Sequence, residues 1–205
     1  MARQVIGLGP DPEGATPLTD EELEGLIPEH VTTRAELNGV ESENLVDALS
    51  WGRSLARRSD PAELLDPGFL VRLHRRMFSD VWRWAGTQRR RETNIGVDPV
   101  LIAERVKVVL DDAGYWHEHA TFPADEIAVR VHHRLVAVHP FPNGNGRCTR
   151  LIADLYLLAT GDATLSWGGE GDLGEPGDVR AAYLESLRAA DREDYDPLLR
   201  FARAE

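Results

Sequence analysis

Helix-start signals recur along this chain at intervals that leave room for helices and little else. Thr19 and Thr33 each stand three residues before a glutamate, Glu22 and Glu36, while Asp60-Pro61, Asp66-Pro67, Asp98-Pro99 and Asp196-Pro197 each set a carboxylate before a proline. A threonine with glutamate at that spacing closes a capping box, and proline already has helical φ at the first position of a helix. After each signal the apolar residues keep helical spacing. The first short helix carries Leu23, Leu26 and Ile27 and stops near Pro28; the second carries Leu37, Val40, Leu45, Ala48 and Leu49 through Trp51. Two short helices follow, the later one with Leu70, Leu73, Met77 and Phe78 inward. Ile102, Val106, Val109, Leu110 and Ala113 share one face of a helix running to about His119, and Ile127, Val131, Leu135 and Val138 share a face of one that starts at Pro123 and ends at His139-Pro140. Cys148 to Leu158 is apolar on successive turns and reads as the central buried helix, ahead of a final pair over 179–190 and 197–204. The expected fold is all-α. With one cysteine, Cys148, it has no internal disulfide and must be held by packing.

Three stretches escape the helical pattern. Residues 1–17, rich in glycine and proline, read as an extended arm; 82–98, where Thr93, Ile95 and Val97 alternate, as a small β-hairpin; and 168–177 as a loop. The formal net charge of −12 repels duplex DNA and anionic lipid, so any polyanion must be held by a local device. No apolar run suits a membrane span and the start lacks a signal-peptide core, so a soluble cytoplasmic protein without direct nucleic-acid or membrane partners is expected.

That local device lies in His139-Pro140-Phe141-Pro142-Asn143-Gly144-Asn145-Gly146-Arg147-Cys148-Thr149-Arg150, between two predicted helices. Gly144 and Gly146 let the backbone approach a ligand closely, and the following helix turns its unpaired N–H groups and positive end to the same spot. Arg147 and Arg150, one turn apart, present two guanidinium forks suited to successive phosphates. His139 at the rim has the side chain best fitted to take a proton near neutral pH. A helix-terminal histidine, a glycine turn or two helical arginines is each more often structural; together they fit phosphoryl or nucleotidyl transfer.

The string resembles the Fic family signature, His-x-Phe-x-(Asp/Glu)-Gly-Asn-Gly-Arg-x-x-Arg, at its seven other fixed positions. Trp84-Ala85-Gly86, Arg89 and Thr93-Asn94-Ile95-Gly96 resemble the family's flap hairpin and its lead-in, and the stretch from Thr16 to Trp51 resembles the subgroup named mobile mystery protein B, bacterial proteins associated with a small helix-turn-helix companion. The resemblance implies a Fic fold, a helical bundle around a central helix with a small flap. The expected division is an arm at 1–17, N-terminal helices at 18–58 with an inhibitory segment, and a Fic domain at 59–205.

By the same resemblance the chain is a protein adenylyltransferase that moves AMP from ATP to a Ser, Thr or Tyr hydroxyl of a target protein. His139 is then the base; Asn145 and the N–H groups of Gly144 and Gly146 hold the α- and β-phosphates, Arg147 the β-phosphate and Arg150 the γ-phosphate. Phe141 anchors the loop, and Thr93, Asn94, Ile95 and Gly96 bind the target by strand addition. Arg89-Arg90-Arg91 is open between target contact, nucleotide contact and a solvated face. The family's Mg²⁺ ligand is an acidic residue, whereas Asn143 stands here, a weaker oxygen for a hard cation. This keeps open a nucleotide-binding regulator with little transfer, another phosphate-bearing donor, or removal of AMP. The family's inhibitory pattern is matched in part by Thr32 and Glu36, which would pair Glu36 with Arg150, although Glu36 is also explained by its capping box. His132-His133 and the His117, His119 pair have poor geometry for a metal.

Overall fold

The computed structural model describes residues 14, 16–169, 173–174 and 176–204. The expected arm at 1–17 therefore lies outside the described residues except at 14, 16 and 17, and part of the 168–177 loop lies outside them too. The described helices are α1 (Asp20–Leu23), α2 (Arg34–Ala56), α3 (Pro61–Leu64), α4 (Pro67–Phe78), α5 (Ile102–Glu118), α6 (Ala124–Val138), α7 (Asn145–Thr160), α8 (Asp178–Ala190) and α9 (Asp196–Arg203), with a 3₁₀ turn at Pro99–Leu101. None is long and apolar enough to cross a membrane.

Five of the six start signals cap as their chemistry requires. Thr19 and Thr33 close capping boxes with Glu22 and Glu36. Asp60, Asp66 and Asp98 accept from the N–H groups of Ala62, Phe69 and Val100 at 2.9, 2.9 and 3.0 Å. The Asp98 signal opens the 3₁₀ turn that leads into α5, and Asp196 lies inside α9 with Tyr195 before it.

Helix α7 is the centre of the molecule, packed by α2, α3, α4 and α6. Cys148, Ile152, Ala153, Leu155 and Leu157 on it are wholly buried. It begins at Asn145, before the first long apolar residue, so its first turn is the glycine motif itself.

Two sequence expectations are corrected. The buried stripe of α2 is Leu37, Glu41, Asn44, Ala48, Gly52 and Ala56, while Val40, Leu45 and Leu49 lie half-buried at its margins. Two polar side chains take the inner positions because each has a partner: Glu41 accepts from Trp82 Nε1 at 2.7 Å, and Asn44 exchanges two 3.3 Å hydrogen bonds with Asp80. Trp82 also stacks on Trp84, ring centres 4.9 Å apart. The second correction is the hairpin. Among the described residues, 87–98 has no strand ladder. Its ends bond outward instead, Arg89 N–H to the Pro140 carbonyl at 3.0 Å and Val97 N–H to the Val138 carbonyl at 3.3 Å. The buried Arg89 guanidinium ties this stretch to the end of α6 by taking the carbonyls of Arg91, Val97, Val138 and His139.

Candidate active site

Helix α6 stops because His139, preceding Pro140, leaves the helical region for φ 54° and ψ 62°. A left-handed non-glycine residue costs roughly 1 kcal/mol and persists only where its surroundings fix it. Here its N–H bonds to the Leu135 carbonyl at 3.0 Å and its carbonyl accepts from Arg89 Nε at 2.6 Å. Gly96, at φ +116°, lies so close that a Cβ there would sit 2.8 Å from the His139 Cβ.

The loop after His139 is built on His74, which sequence reasoning missed. Phe141, 1% exposed, stacks on the His74 ring with centres 3.7 Å apart. His74 Nδ1 accepts from the Gly86 N–H at 2.9 Å, so the proton is on Nε2, which donates to the Asn143 carbonyl at 3.0 Å. One neutral imidazole thus joins the motif loop to the Trp84-Ala85-Gly86 segment. Asn145 locks the loop from within: its Oδ1 accepts from Phe141 N–H and its Nδ2 donates to the Phe141 carbonyl. Its side chain is therefore engaged in the loop, and its backbone N–H lies in the first turn of α7. Gly144, at φ +74°, is required twice over, since a Cβ would also lie 2.6 Å from the Phe78 ring.

The first hydrogen bond of α7 runs from Cys148 N–H to the Gly144 carbonyl at 2.9 Å. The N–H groups of Asn145, Gly146 and Arg147 precede it and are the helix's unsatisfied donors. Arg150 Nη1 lies beside Gly146, with the guanidinium 5.6 Å from the Tyr183 ring centre. Arg147 lies over Phe78 at 4.8 Å and donates to Glu41 Oε2 at 2.7 Å. The carboxylate that meets a motif arginine is therefore Glu41 on Arg147. Glu36, expected at Arg150, is bound to Thr32 and Thr33 at the exposed start of α2, where the Thr32 N–H above all holds its carboxyl below the usual range. Glu41 could have been found by reading Leu37, Glu41, Asn44 and Ala48 as one stripe.

The arginine run divides. Arg89 is the buried staple, Arg90 is exposed, and Arg91 pairs with Glu22 at 2.8 Å and donates to the Pro17 carbonyl at 2.6 Å. In the expected flap, Thr93 Oγ1 donates to the Ile95 carbonyl, and Asn94, Ile95 and Gly96 are exposed.

His139 Nε2 lies 2.8 Å from the Thr16 hydroxyl, while its buried Nδ1 faces the Val136 carbonyl without good hydrogen-bond alignment. Burial, aided by the Arg89 and Arg91 charges, pushes its pKa down to about 4, so it is a neutral base at pH 7. Cys148 is inert, its thiol pushed up by burial. His132 bonds Thr149 and Tyr183, and His133 bonds Tyr195 and Asp191.

The donors do not fit a chain-held Mg²⁺. Asn143 Oδ1 already accepts from the Gly144 N–H at 2.6 Å and its Nδ2 donates to the Thr16 carbonyl at 3.2 Å. Among the described residues, no group of three or more His, Cys, Asp or Glu is placed to hold a metal ion.

The histidines also set an acid limit on stability. Burial pushes His74 down to about 3 and His132 well below its ordinary value, alongside His139. The unfolded chain binds these protons near the ordinary 6.5, so their stabilisation is complete above that value and lost as the pH falls toward the folded ones. Asp154, pushed up to about 6 by burial, opposes this over part of the same window, as one group against three. The melting temperature is expected to fall on acidification between about pH 6.5 and pH 4. A curve flat over that range would show that these imidazoles are not sequestered.

Residues 64–157 match the family model described as Fic/DOC family. The chain is 30% identical over 139 residues to "Protein adenylyltransferase fic-1" of Caenorhabditis elegans, an alignment covering 64% of this chain and 25% of that protein. It is 26% identical over 137 residues to "Protein adenylyltransferase Fic" of Drosophila virilis, covering 64% of this chain and 26% of that one. The chain thus spans about a quarter of the length of the curated relatives it matches. Among solved structures it is similar to C. elegans Fic-1, with TM-score 0.57, 26% identity and coverage of 80% of this chain and 48% of that one. It also resembles BepC of Bartonella tribocorum in fold, with TM-score 0.63, 17% identity and coverage of 90% and 97%. The helices around α7 are the Fic fold, and residues 64–157 are similar to Fic/DOC family domains.

Proposed function

We propose that this chain transfers AMP from ATP to a hydroxyl of a target protein. One observation carries the reading: a buried, neutral His139 holds a hydroxyl at Nε2 beside the free N–H end of α7. The adenylyltransferase names of the relatives agree with it. The phosphates lie against the N–H groups of Asn145, Gly146 and Arg147, with Arg150 on the γ-phosphate. His139 takes the hydroxyl proton as the oxygen attacks the α-phosphorus and pyrophosphate leaves. Phe141, pinned on His74, keeps the base in place, and the exposed edge at Thr93 to Gly96 receives the target segment. Incubation with labelled ATP and a cell lysate tests this: label on protein, lost with His139→Ala, is expected, and labelling indifferent to that substitution sinks the reading.

Glu41 competes with a phosphate for Arg147. Glu41→Gln keeps an acceptor for Trp82 and removes the charge, so nucleotide is expected to bind tighter by roughly 1–2 kcal/mol, about 5- to 30-fold in Kd. Calorimetry with ATP measures it; an unchanged Kd means that Glu41 does not compete. The same ion pair, with the engaged Asn143, favours a second reading, a regulator that binds nucleotide with little transfer. Binding indifferent to Mg²⁺, with no turnover after Asn143→Asp, supports that alternative. The resemblance of the stretch from Thr16 to Trp51 to mobile mystery protein B makes a bacterial cytoplasmic setting and a small helix-turn-helix companion part of the proposal, with 18–58 as a regulatory segment on a catalytic unit at 59–205.

A further inference from the structure

We propose that Thr16 is itself an acceptor, so that the chain places AMP on its own N-terminal segment. The inference rests on the transferase reading of the same site and adds a modification site to it. Thr16 is 6% exposed, and its hydroxyl oxygen lies 2.8 Å from His139 Nε2, within reach for direct proton transfer. A proton on Nδ1, facing the Val136 carbonyl, leaves the Nε2 lone pair on the Thr16 side.

The backbone around Thr16 is held in the manner of a bound peptide. Asn143 of the motif loop donates to the Thr16 carbonyl at 3.2 Å, and Arg91 donates to the next carbonyl, Pro17, at 2.6 Å. Arg91 is in turn fixed by two hydrogen bonds to Glu22, at 2.9 and 2.8 Å. Two successive carbonyls are thus gripped by donors that do not depend on the side chains gripped, while the hydroxyl between them is presented to the base. A threonine that only satisfied a buried imidazole would need neither carbonyl contact.

The step balances with a nucleoside triphosphate as co-reactant. Thr16 Oγ1 forms a bond to the α-phosphorus, and the bond from that phosphorus to the oxygen bridging to the β-phosphorus breaks. Its electron pair leaves with pyrophosphate, and the hydroxyl proton passes to His139 Nε2. The product is a phosphodiester on Thr16, which has no hydroxyl proton left to give, so His139 is released from this partner.

The test is mass spectrometry of the full chain after incubation with ATP and Mg²⁺, with a parallel lysate incubation using labelled ATP. One AMP on Thr16 is expected, kept by Thr16→Ser and lost by the isosteric Thr16→Val and by His139→Ala, each variant first shown folded by its melting curve. A wild-type chain that labels lysate proteins through His139 but carries no AMP on Thr16 overturns this proposal and leaves the transferase reading standing. AMP found on another residue and retained by Thr16→Val overturns it equally. Label on neither the chain nor the lysate overturns both.

Discussion

His139→Ala is expected to lower AMP transfer by about 10²–10⁴-fold, the range supplied by a positioned general base. The fold should survive, because among the described residues the imidazole's only side-chain partner is the Thr16 hydroxyl and its Nδ1 has none. Alanine at the same left-handed φ carries a similar strain. Rate and stability therefore separate, which a change in loop structure alone would not give. The wild-type pH profile adds a second signature. With a folded pKa of about 4, His139 is unprotonated through neutrality, so kcat/KM is expected to be level there and to decline only on the acid side as the base is protonated. A rate for His139→Ala within a few-fold of wild type would remove the base from the mechanism.

The second large effect is expected at Arg89, whose described hydrogen bonds all go to backbone carbonyls. Its side chain is 3% exposed and donates to four backbone carbonyls, those of Arg91, Val97, Val138 and His139. Burial lowers its pKa, but among these acceptors it stays a cation whose hydrogen bonds are charge-assisted. Arg89→Met leaves several of those carbonyls unpaired, and a loss of roughly 3–5 kcal/mol in stability is expected. Because one acceptor is the His139 carbonyl, the base moves as well, and a displacement on the order of 1 Å costs transfer about 10²-fold. Arg89→Lys keeps the charge without the planar fork and should fall between. The signature of a positioning residue is that kcat drops while the Kd for ATP is held, since α7 and its N–H groups are untouched. Chemical denaturation and single-turnover rates measure the two effects, and stability and kcat both near wild type would show that 87–98 is held by other contacts.

The starts of α1 to α4 and of the 3₁₀ turn before α5 were legible because each is written within four residues: a threonine or aspartate, then a glutamate or proline. The motif loop was legible for the same reason, being continuous in sequence. Contacts between distant segments were not. Glu41 on α2 and Arg147 on α7 are 106 residues apart; the inner stripe of α2 sets Glu41 apart from the exposed Glu36, which the partial inhibitory pattern favoured, but not the arginine it meets. Thr16 and His139 are 123 residues apart. The run Arg89-Arg90-Arg91 stayed open between target contact, nucleotide contact and a solvated face because nothing local shows which arginine turns inward, and the hairpin was expected from alternation alone, without the contacts that tie Arg91 and Val97 to the buried guanidinium. His74 was readable in principle, lying on the same face of α4 as Leu70 and Phe78, but its partners at Gly86 and Asn143 were not.

The contact between Glu41 and Trp82 gives the molecule an optical reporter of its own. The indole donates to the carboxylate that holds Arg147 and stacks on Trp84, so a phosphate that draws Arg147 away changes the field on a coupled pair of chromophores. Nucleotide arrival should then be visible as a shift in tryptophan emission and near-ultraviolet circular dichroism, without a dye and before any covalent product has formed.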